Sequence, residues 1–167
     1  MVDWSRLKFV ICDRDPHYRK LVHQMLREKT PKAIVEGRGG RYDKDIIARV
    51  KPDVVIGSLT EGDDFSLDLV RWLRDAAVTP CPGIPVILMA VVTSDDALRQ
   101  GIRAGVDYFL AKPLSPQVLQ TRIETLLAKP LKLTNTRKYV GPDRRRMPRE
   151  AYDGPERRGE SEESDAA

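Results

Sequence analysis

Charged and polar side chains stand at or just after the ends of several apolar runs in this sequence. Asp13 and Arg14 follow the first run, Ser58 ends a later run, and Lys112 follows the last. One carboxylate beside two cations has a formal charge of about plus one, and serine adds none. A magnesium ion needs several oxygen ligands and a negative field. These residues therefore predict neither a metal ion nor another cofactor.

Ser58 is the residue of this set that could act as a nucleophile. A hydrolytic serine needs a general base and an oxyanion site, and no Gly-x-Ser-x-Gly elbow surrounds Ser58. A serine hydroxyl also cannot form an acyl phosphate. His17 and His23 are six residues apart on a predicted helix, so they do not share a face. The sequence therefore predicts that the chain is not an enzyme.

Arg14 is expected to take the electrostatic place of a metal ion. Its guanidinium could fork onto Asp13 or Asp15, while Lys112 bonds to what remains. Asp15 could also turn inward as a metal ligand. Because Pro16 follows it, we favour Asp15 as the cap of a helix.

The elements that must position these residues are five short apolar runs, each followed by an amphipathic segment. The predicted strands are 7–12, 33–35, 53–59, 86–90 and 108–111. Continuous apolar runs are typical of strands that are covered on both faces. Thr93 or Ser94 is the expected cap of the fourth helix and Ser115 of the fifth, and Gly105 is an expected helix end. The alternation predicts an α/β, doubly wound parallel sheet with its ligand edge at the carboxyl ends of the strands.

Other residues have predicted structural roles. The first helix is expected to bury one stripe that consists of Tyr18, Leu21, Val22, Met25 and Leu26. Asp53 is interpreted as a solvent-facing cap before the third strand, and Trp4 as an N-terminal anchor.

Four fragments carry a resemblance to a known family: Asp15-Pro16 with Arg19, Pro52 to Ile56, Ala104 to Asp107, and Lys112-Pro113. In this order and spacing they resemble the receiver domain of response regulators in two-component, phosphorelay-type signalling. The resemblance covers about residues 7 to 128. It implies a flavodoxin-like sheet in the order 2-1-3-4-5.

The resemblance also implies roles for the residues at the strand ends. Asp13 matches the first of two acids, Lys112 matches the lysine after strand five, and Phe109 occupies the place of the switch aromatic. Ser58 stands where the family has its phosphoacceptor aspartate, Arg14 where it has its second acid, and Ala90 where it has a hydroxyl residue. The expectation is a receiver that has kept the scaffold and lost phosphotransfer and magnesium.

Composition bounds the organisation of the chain. Its 167 residues suit one receiver-like domain over 1–129 and a tail over 130–167. The two cysteines have no ligand or disulfide spacing, and no segment is apolar enough to span a bilayer. A soluble, cytoplasmic protein is expected. The net charge of +4 is too small by itself to indicate nucleic acid.

The tail repeats one pattern after thirteen residues. Tyrosine, Gly-Pro, an acid and paired arginines occur first at Tyr139, Arg144 and Arg145, and again at Tyr152, Arg157 and Arg158. Glycine and proline favour turns, and the acidic end is expected to be disordered, so the tail is predicted to be mostly irregular. Three roles stay open: a solvated tail, a docking peptide for an acidic protein, and contact with nucleic acid, which the interleaved acids oppose. The tail could also fold back on its own receiver.

The expected partners are other signalling proteins, such as a histidine kinase or a downstream effector, and no membrane. In the family, the face of the fourth helix, fifth strand and fifth helix is the usual output and homodimer surface. Here it would include Phe109 and parts of 94–105 and 115–129. The predicted function is signalling by phosphorylation-independent protein contacts. The alternatives are a nucleic-acid-contacting regulator and a receiver with a non-standard phosphoacceptor.

Overall fold

A five-stranded parallel sheet lies at the centre of the molecule. The computed structural model describes residues 2–60, 62, 64–79, 81–91, 94–129, 133–136 and 139–142. The strands are β1 (Lys8–Cys12), β2 (Ala33–Gly37), β3 (Val54–Leu59), β4 (Val86–Ala90) and β5 (Tyr108–Ala111). Their order is β2-β1-β3-β4-β5, and every neighbouring pair is parallel. The predicted doubly wound sheet is confirmed.

Helices cover both faces of this sheet. They are α1 (Pro16–Arg27), α2 (Tyr42–Val50), α3 (Phe65–Arg74), α4 (Asp95–Ala104) and α5 (Pro116–Ala128). The core therefore has two layers: α1 and α5 pack on one face, and α2, α3 and α4 on the other. Because both faces are covered, the middle strands have no polar alternation, which explains their continuous apolar runs.

Short polar side chains fix where three helices begin. Asp15 accepts a hydrogen bond from the amide of His17, Ser94 from Ala97 and Ser115 from Val118. These bonds satisfy amides that a helix leaves without partners at its start. The predicted capping roles of Asp15 and Ser115 are confirmed, and Ser94 is the cap at the position where Thr93 or Ser94 was predicted.

Two structural expectations need correction. In the stripe of α1, Val22, Met25 and Leu26 are buried, but Leu21 is 37% exposed and the ring of Tyr18 lies by the side chain of Lys112 instead. Asp53 does not only face solvent, because its carboxylate accepts a hydrogen bond from the amide of Lys8 at 2.7 Å. It ties the start of β3 to β1, a long-range contact that the local sequence does not indicate.

Two further strands were not predicted. β6 (Leu133–Thr136) and β7 (Tyr139–Pro142) pair as an antiparallel hairpin, and β7 lies against α4. Four-residue strands are too short to give a periodic pattern, so only the contact with the domain reveals them. The tail residues Arg144, Arg145, Tyr152, Arg157 and Arg158 lie outside the described residues, as does the side chain of Tyr139. The division at residue 129 stays a prediction.

No helix in the described part of the chain has the length and apolar character needed to cross a membrane.

Candidate functional site

Three strand ends bring Asp13, Ser58 and Lys112 together. Cys12 is in register with Gly57, so Asp13 and Ser58 follow side by side on neighbouring strands. Lys112 comes directly after β5, and its amide donates to the carbonyl of Ala90 at 2.6 Å. This bond holds the lysine at the carboxyl edge of the sheet. The sequence prediction that these residues share one edge is confirmed.

The ammonium group of Lys112 is the centre of the site. Its Nζ donates to Ser58 Oγ at 2.8 Å and to Asp13 Oδ2 at 3.1 Å, and it lies 3.8 Å from the centre of the Tyr18 ring. The side chains of Lys112 and Asp13 are only 4% and 3% exposed. A buried charge of this kind needs close partners, and the ammonium has two acceptors and an aromatic face.

Both carboxylate oxygens of Asp13 are in use. Oδ1 accepts from the amide of Asp15 at 2.9 Å, while Oδ2 accepts from Lys112. The carbonyl of Asp13 accepts from Arg19 at 2.6 Å, and Arg19 also lies 3.5 Å from the carboxylate of Glu36. The ion pair with Lys112 therefore connects Asp13 to the end of β5. Two hydrogen bonds, from the amide of Asp15 and from Arg19, hold Asp13 to its own loop and to α1.

Arg14 points to a different neighbour from the one predicted. Its Nε donates to the carbonyl of Gly39 at 2.9 Å, and its guanidinium lies 5.5 Å from the centre of the Phe65 ring. The predicted fork onto Asp13 or Asp15 is not among the described contacts of Arg14. The stem of Arg14 packs so closely on Gly39 that a Cβ at Gly39 would lie 2.4 Å from Arg14 Cγ. Glycine at position 39 thus makes room for Arg14.

Asp43 holds the loop to which Arg14 binds. Its carboxylate is buried and accepts from the amides of Arg38 at 3.0 Å and Gly39 at 2.9 Å. The same carboxylate stands beside the thiol of Cys12. Burial raises the pKa of Cys12 well above its ordinary value, and the neighbouring charge of Asp43 raises it further. Cys12 is therefore an inert core thiol.

A cavity of about 520 Å³ opens at this edge of the sheet. Among the described residues that line it, the charged ones are Asp13, Arg14, Asp15 and Lys112. Two carboxylates oppose two cations, so the formal charge of this lining is zero instead of the expected plus one. The correction comes from Asp15, whose carboxylate was left out of the predicted charge of this edge because the capping role was favoured.

The residues present do not fit the magnesium ion that the receiver resemblance implies. Of the three acids that such a site needs, only Asp13 stands in its place, with Arg14 and Ser58 at the other two positions. Both oxygens of Asp13 already accept hydrogen bonds, and Asp15 accepts from the amide of His17 at 2.8 Å. A hard dication requires free oxygen ligands. No group of three or more metal-ligating side chains occurs among the described residues.

Ala90 and Phe109 lie near this edge but do not line the cavity. Ala90 is buried at the end of β4, and Val91, which is 62% exposed, stands at the rim instead. The half-buried ring of Phe109 packs against α4, where a Cβ at Gly101 would lie 2.3 Å from its tip. At the position of the expected switch aromatic, the ring of Phe109 therefore packs directly against Gly101.

Three residues of the site were missed or misplaced by the sequence interpretation. Tyr18 was counted as core, and Asp43 and Phe65 were given no role. The aromatic rings could not be found because their contacts join elements far apart in the sequence. Asp43 does carry a local signal: an acidic residue in the first turn of a helix, just after a glycine-rich loop, is well placed to bind free amides.

Comparison with known proteins gives this arrangement a family. A family model described as the response regulator receiver domain matches residues 9–124, which is more than half of the chain. The chain belongs to the response regulator receiver family. This receiver therefore has the fold of two-component signalling proteins, and the resemblance that the sequence motifs indicated is confirmed.

Curated relatives and solved structures agree with this assignment. The DNA-binding response regulator MtrA of Mycolicibacterium smegmatis is 24% identical over 75% of this chain and 53% of its own length. The transcriptional regulatory protein GltR of Pseudomonas aeruginosa is 28% identical over 71% and 48%. The chain thus spans about half the length of these relatives. A putative response regulator from Chloroflexus aurantiacus superimposes with a TM-score of 0.65 at 25% identity, covering 74% of this chain and 99% of its own.

Proposed function

We propose that this receiver takes part in signal transduction without being phosphorylated, through contacts with other proteins. The observation that carries the proposal is the 2.8 Å hydrogen bond from Lys112 Nζ to Ser58 Oγ. In the family, an aspartate would stand at position 58 and accept the phosphoryl group. Here the lysine already has a neutral hydroxyl and the carboxylate of Asp13 as partners.

The chemistry of the site supports this proposal. Acyl phosphate formation needs a carboxylate at position 58, a dication to neutralise the phosphoryl oxygens, and a donor on the neighbouring strand end. Ser58 supplies a hydroxyl, Arg14 points to Gly39, and Ala90 has no hydrogen-bonding side chain. We infer that neither magnesium nor another cofactor binds here and that the chain is not an enzyme.

The face formed by α4, β5 and α5 is the surface we propose for protein partners. It presents Ile102, which is 37% exposed, and Val118, which is 47% exposed. Nearby, Arg122 lies over the ring of Tyr108, 4.6 Å from its centre. Tyrosine and arginine are among the side-chain types that contribute most binding energy at interfaces. A kinase, an effector or a second copy of the chain would find these groups preformed.

A phosphoryl mimic tests the proposal. Beryllofluoride with magnesium should leave the amide NMR signals of Ser58, Phe109 and Lys112 unchanged, because the site lacks the carboxylate that the mimic needs. A receiver with the family's aspartate, treated in the same way, is the positive control. New signals for Phe109 and for the α4 face in this protein would show that the site still switches, and the proposal would be wrong.

A further inference from the structure

The first four residues of the first tail repeat, which form β7, are docked on α4. Strand β7 contacts α4, and it also passes close to Gly105, the left-handed cap of that helix, with φ of +99°. A Cβ on Gly105 would lie 2.9 Å from the carbonyl oxygen of Val140. Only glycine combines this backbone conformation with such a close approach.

The surface under β7 is held rigidly from below. Arg74 is 2% exposed, and its guanidinium donates to the carbonyls of Gly105, Pro82 and Ile84 at 2.8 to 2.9 Å and to Asp107 at 2.6 Å. We call Arg74, Gly105 and the last turn of α4 the Gly105 surface. Because its backbone is fixed by buried bonds, this surface exists before any segment binds to it.

The pattern of burial in β7 matches the pattern of the repeat. Gly141 and Pro142 are buried, whereas Val140 is only half-buried. The two buried residues recur in the second repeat as Gly154 and Pro155, and the less buried position becomes Asp153. The second repeat thus keeps the glycine and proline that are buried in β7 and changes the half-buried valine to aspartate.

We propose that the Gly105 surface is a binding site for the segment Tyr-x-Gly-Pro, and that the second repeat, Tyr152 to Pro155 of the same chain, exchanges with the first repeat on it. The proposal stands independently of phosphorylation. It assigns the second repeat a ligand role and makes the coverage of α4 an equilibrium between two occupants.

Chain length sets the balance between the two occupants. Ten residues separate Ala128 from Tyr139, and 23 separate it from Tyr152. The entropy of closing the longer loop favours the first repeat by roughly threefold to fourfold. Pairing with β6 favours it further. The second repeat is therefore the minor occupant. A repeat from another molecule is weaker still at micromolar protein, because a short tether gives an effective concentration in the millimolar range.

Spin labelling of the full-length chain tests the exchange. A nitroxide is placed at position 153 by Asp153→Cys in a Cys81→Ser background, where the buried Cys12 does not react. We expect partial loss of the amide signals of 102–106. The loss should grow at least threefold when Gly141→Asp and Pro142→Ser disable the first repeat, with the rest of the domain spectrum unchanged.

Two controls decide the interpretation. The matched changes Gly154→Asp and Pro155→Ser, made in the labelled chain, should restore the signals of 102–106. A second control mixes spin-labelled chains that carry no ¹⁵N with ¹⁵N-enriched chains that carry no spin label. The signals of 102–106 should show no loss in this mixture, because the contact is within one molecule. Intact signals at 102–106 in both the original and the first-repeat variant would overturn the proposal, and so would a loss that appears only in the mixture.

Discussion

Lys112 and Asp13 form a buried ion pair whose partners depend on each other. Replacing Lys112 by methionine keeps most of the side-chain volume but leaves the carboxylate of Asp13 buried without its cation. Removing one partner of such a pair costs about 3–5 kcal/mol. We expect Lys112→Met to lower the free energy of unfolding by an amount in this range, as measured by urea denaturation.

Ser58→Ala is the matched control for this prediction. It removes one hydrogen bond from the charged Lys112 and keeps the ion pair, so a smaller loss of about 1.5–3 kcal/mol is expected. If both variants lose the same amount, the ion pair does not hold the site together.

Restoring acids should restore a metal site. The double change Arg14→Asp and Ser58→Asp would place two new carboxylates at the cavity beside Asp13. The three carboxylates together could then bind a dication. We expect millimolar magnesium to raise the melting temperature of the double variant by several degrees, since a ligand that binds only the folded state stabilises it. The unchanged chain and Ser58→Asp alone serve as controls. A similar rise in the unchanged chain would contradict the geometry described for Asp13.

Cys12 should behave as a neutral thiol over the whole working range of pH. Its raised pKa means that the folded state keeps the proton while the unfolded state loses it near pH 9. Stability should therefore fall as the pH rises above about 9, and the Cys12→Ala variant should lack this part of the fall. At pH 8, a thiol reagent should modify only Cys81 quickly. Fast reaction of two thiols would show that Cys12 is accessible.

At the scale of elements, α4 is shaped by the ring of Phe109. Gly101 lies inside the helix, where alanine is normally more stable by about 1 kcal/mol. Here the added methyl group would lie 2.3 Å from the ring, so we expect Gly101→Ala to destabilise the protein by about 1–3 kcal/mol. Phe109→Leu should relieve most of this loss in a double-mutant cycle measured by denaturation. A stabilising Gly101→Ala would mean that the ring turns outward at little cost.

The elements that the sequence predicts well are those with local signals. The apolar runs 86–90 and 108–111 became β4 and β5 with the same bounds, and polar caps located the starts of α1, α4 and α5. The hairpin and the cation contact of Tyr18 were not predictable, because each depends on residues that meet only after folding. The loop bonds of Asp43 are local, and its place in the first turn of a helix after a glycine-rich loop could have indicated them. The strand-end residues of the site were predictable because parallel strands bring their ends to one edge.

At the scale of the whole molecule, the receiver fold places the Lys112–Asp13 ion pair at the carboxyl edge of its sheet. The same scaffold carries a tail hairpin on the far end of α4, under which Arg74 and Asp107 form a second buried pair, 2% and 8% exposed. The C-terminal end of α4 is therefore fixed by buried contacts. This arrangement favours a domain whose backbone at the end of α4 stays constant while the two tail repeats exchange on it.

The most direct measurement is the mass of the intact chain after incubation with acetyl phosphate and magnesium. Because Lys112 binds Ser58 and Asp13, and position 58 has no carboxylate, we expect an unchanged mass. A receiver with the family's aspartate should gain one phosphoryl group under the same conditions. A stoichiometric phosphate adduct on this chain, at Ser58 or at any other residue, would contradict the account.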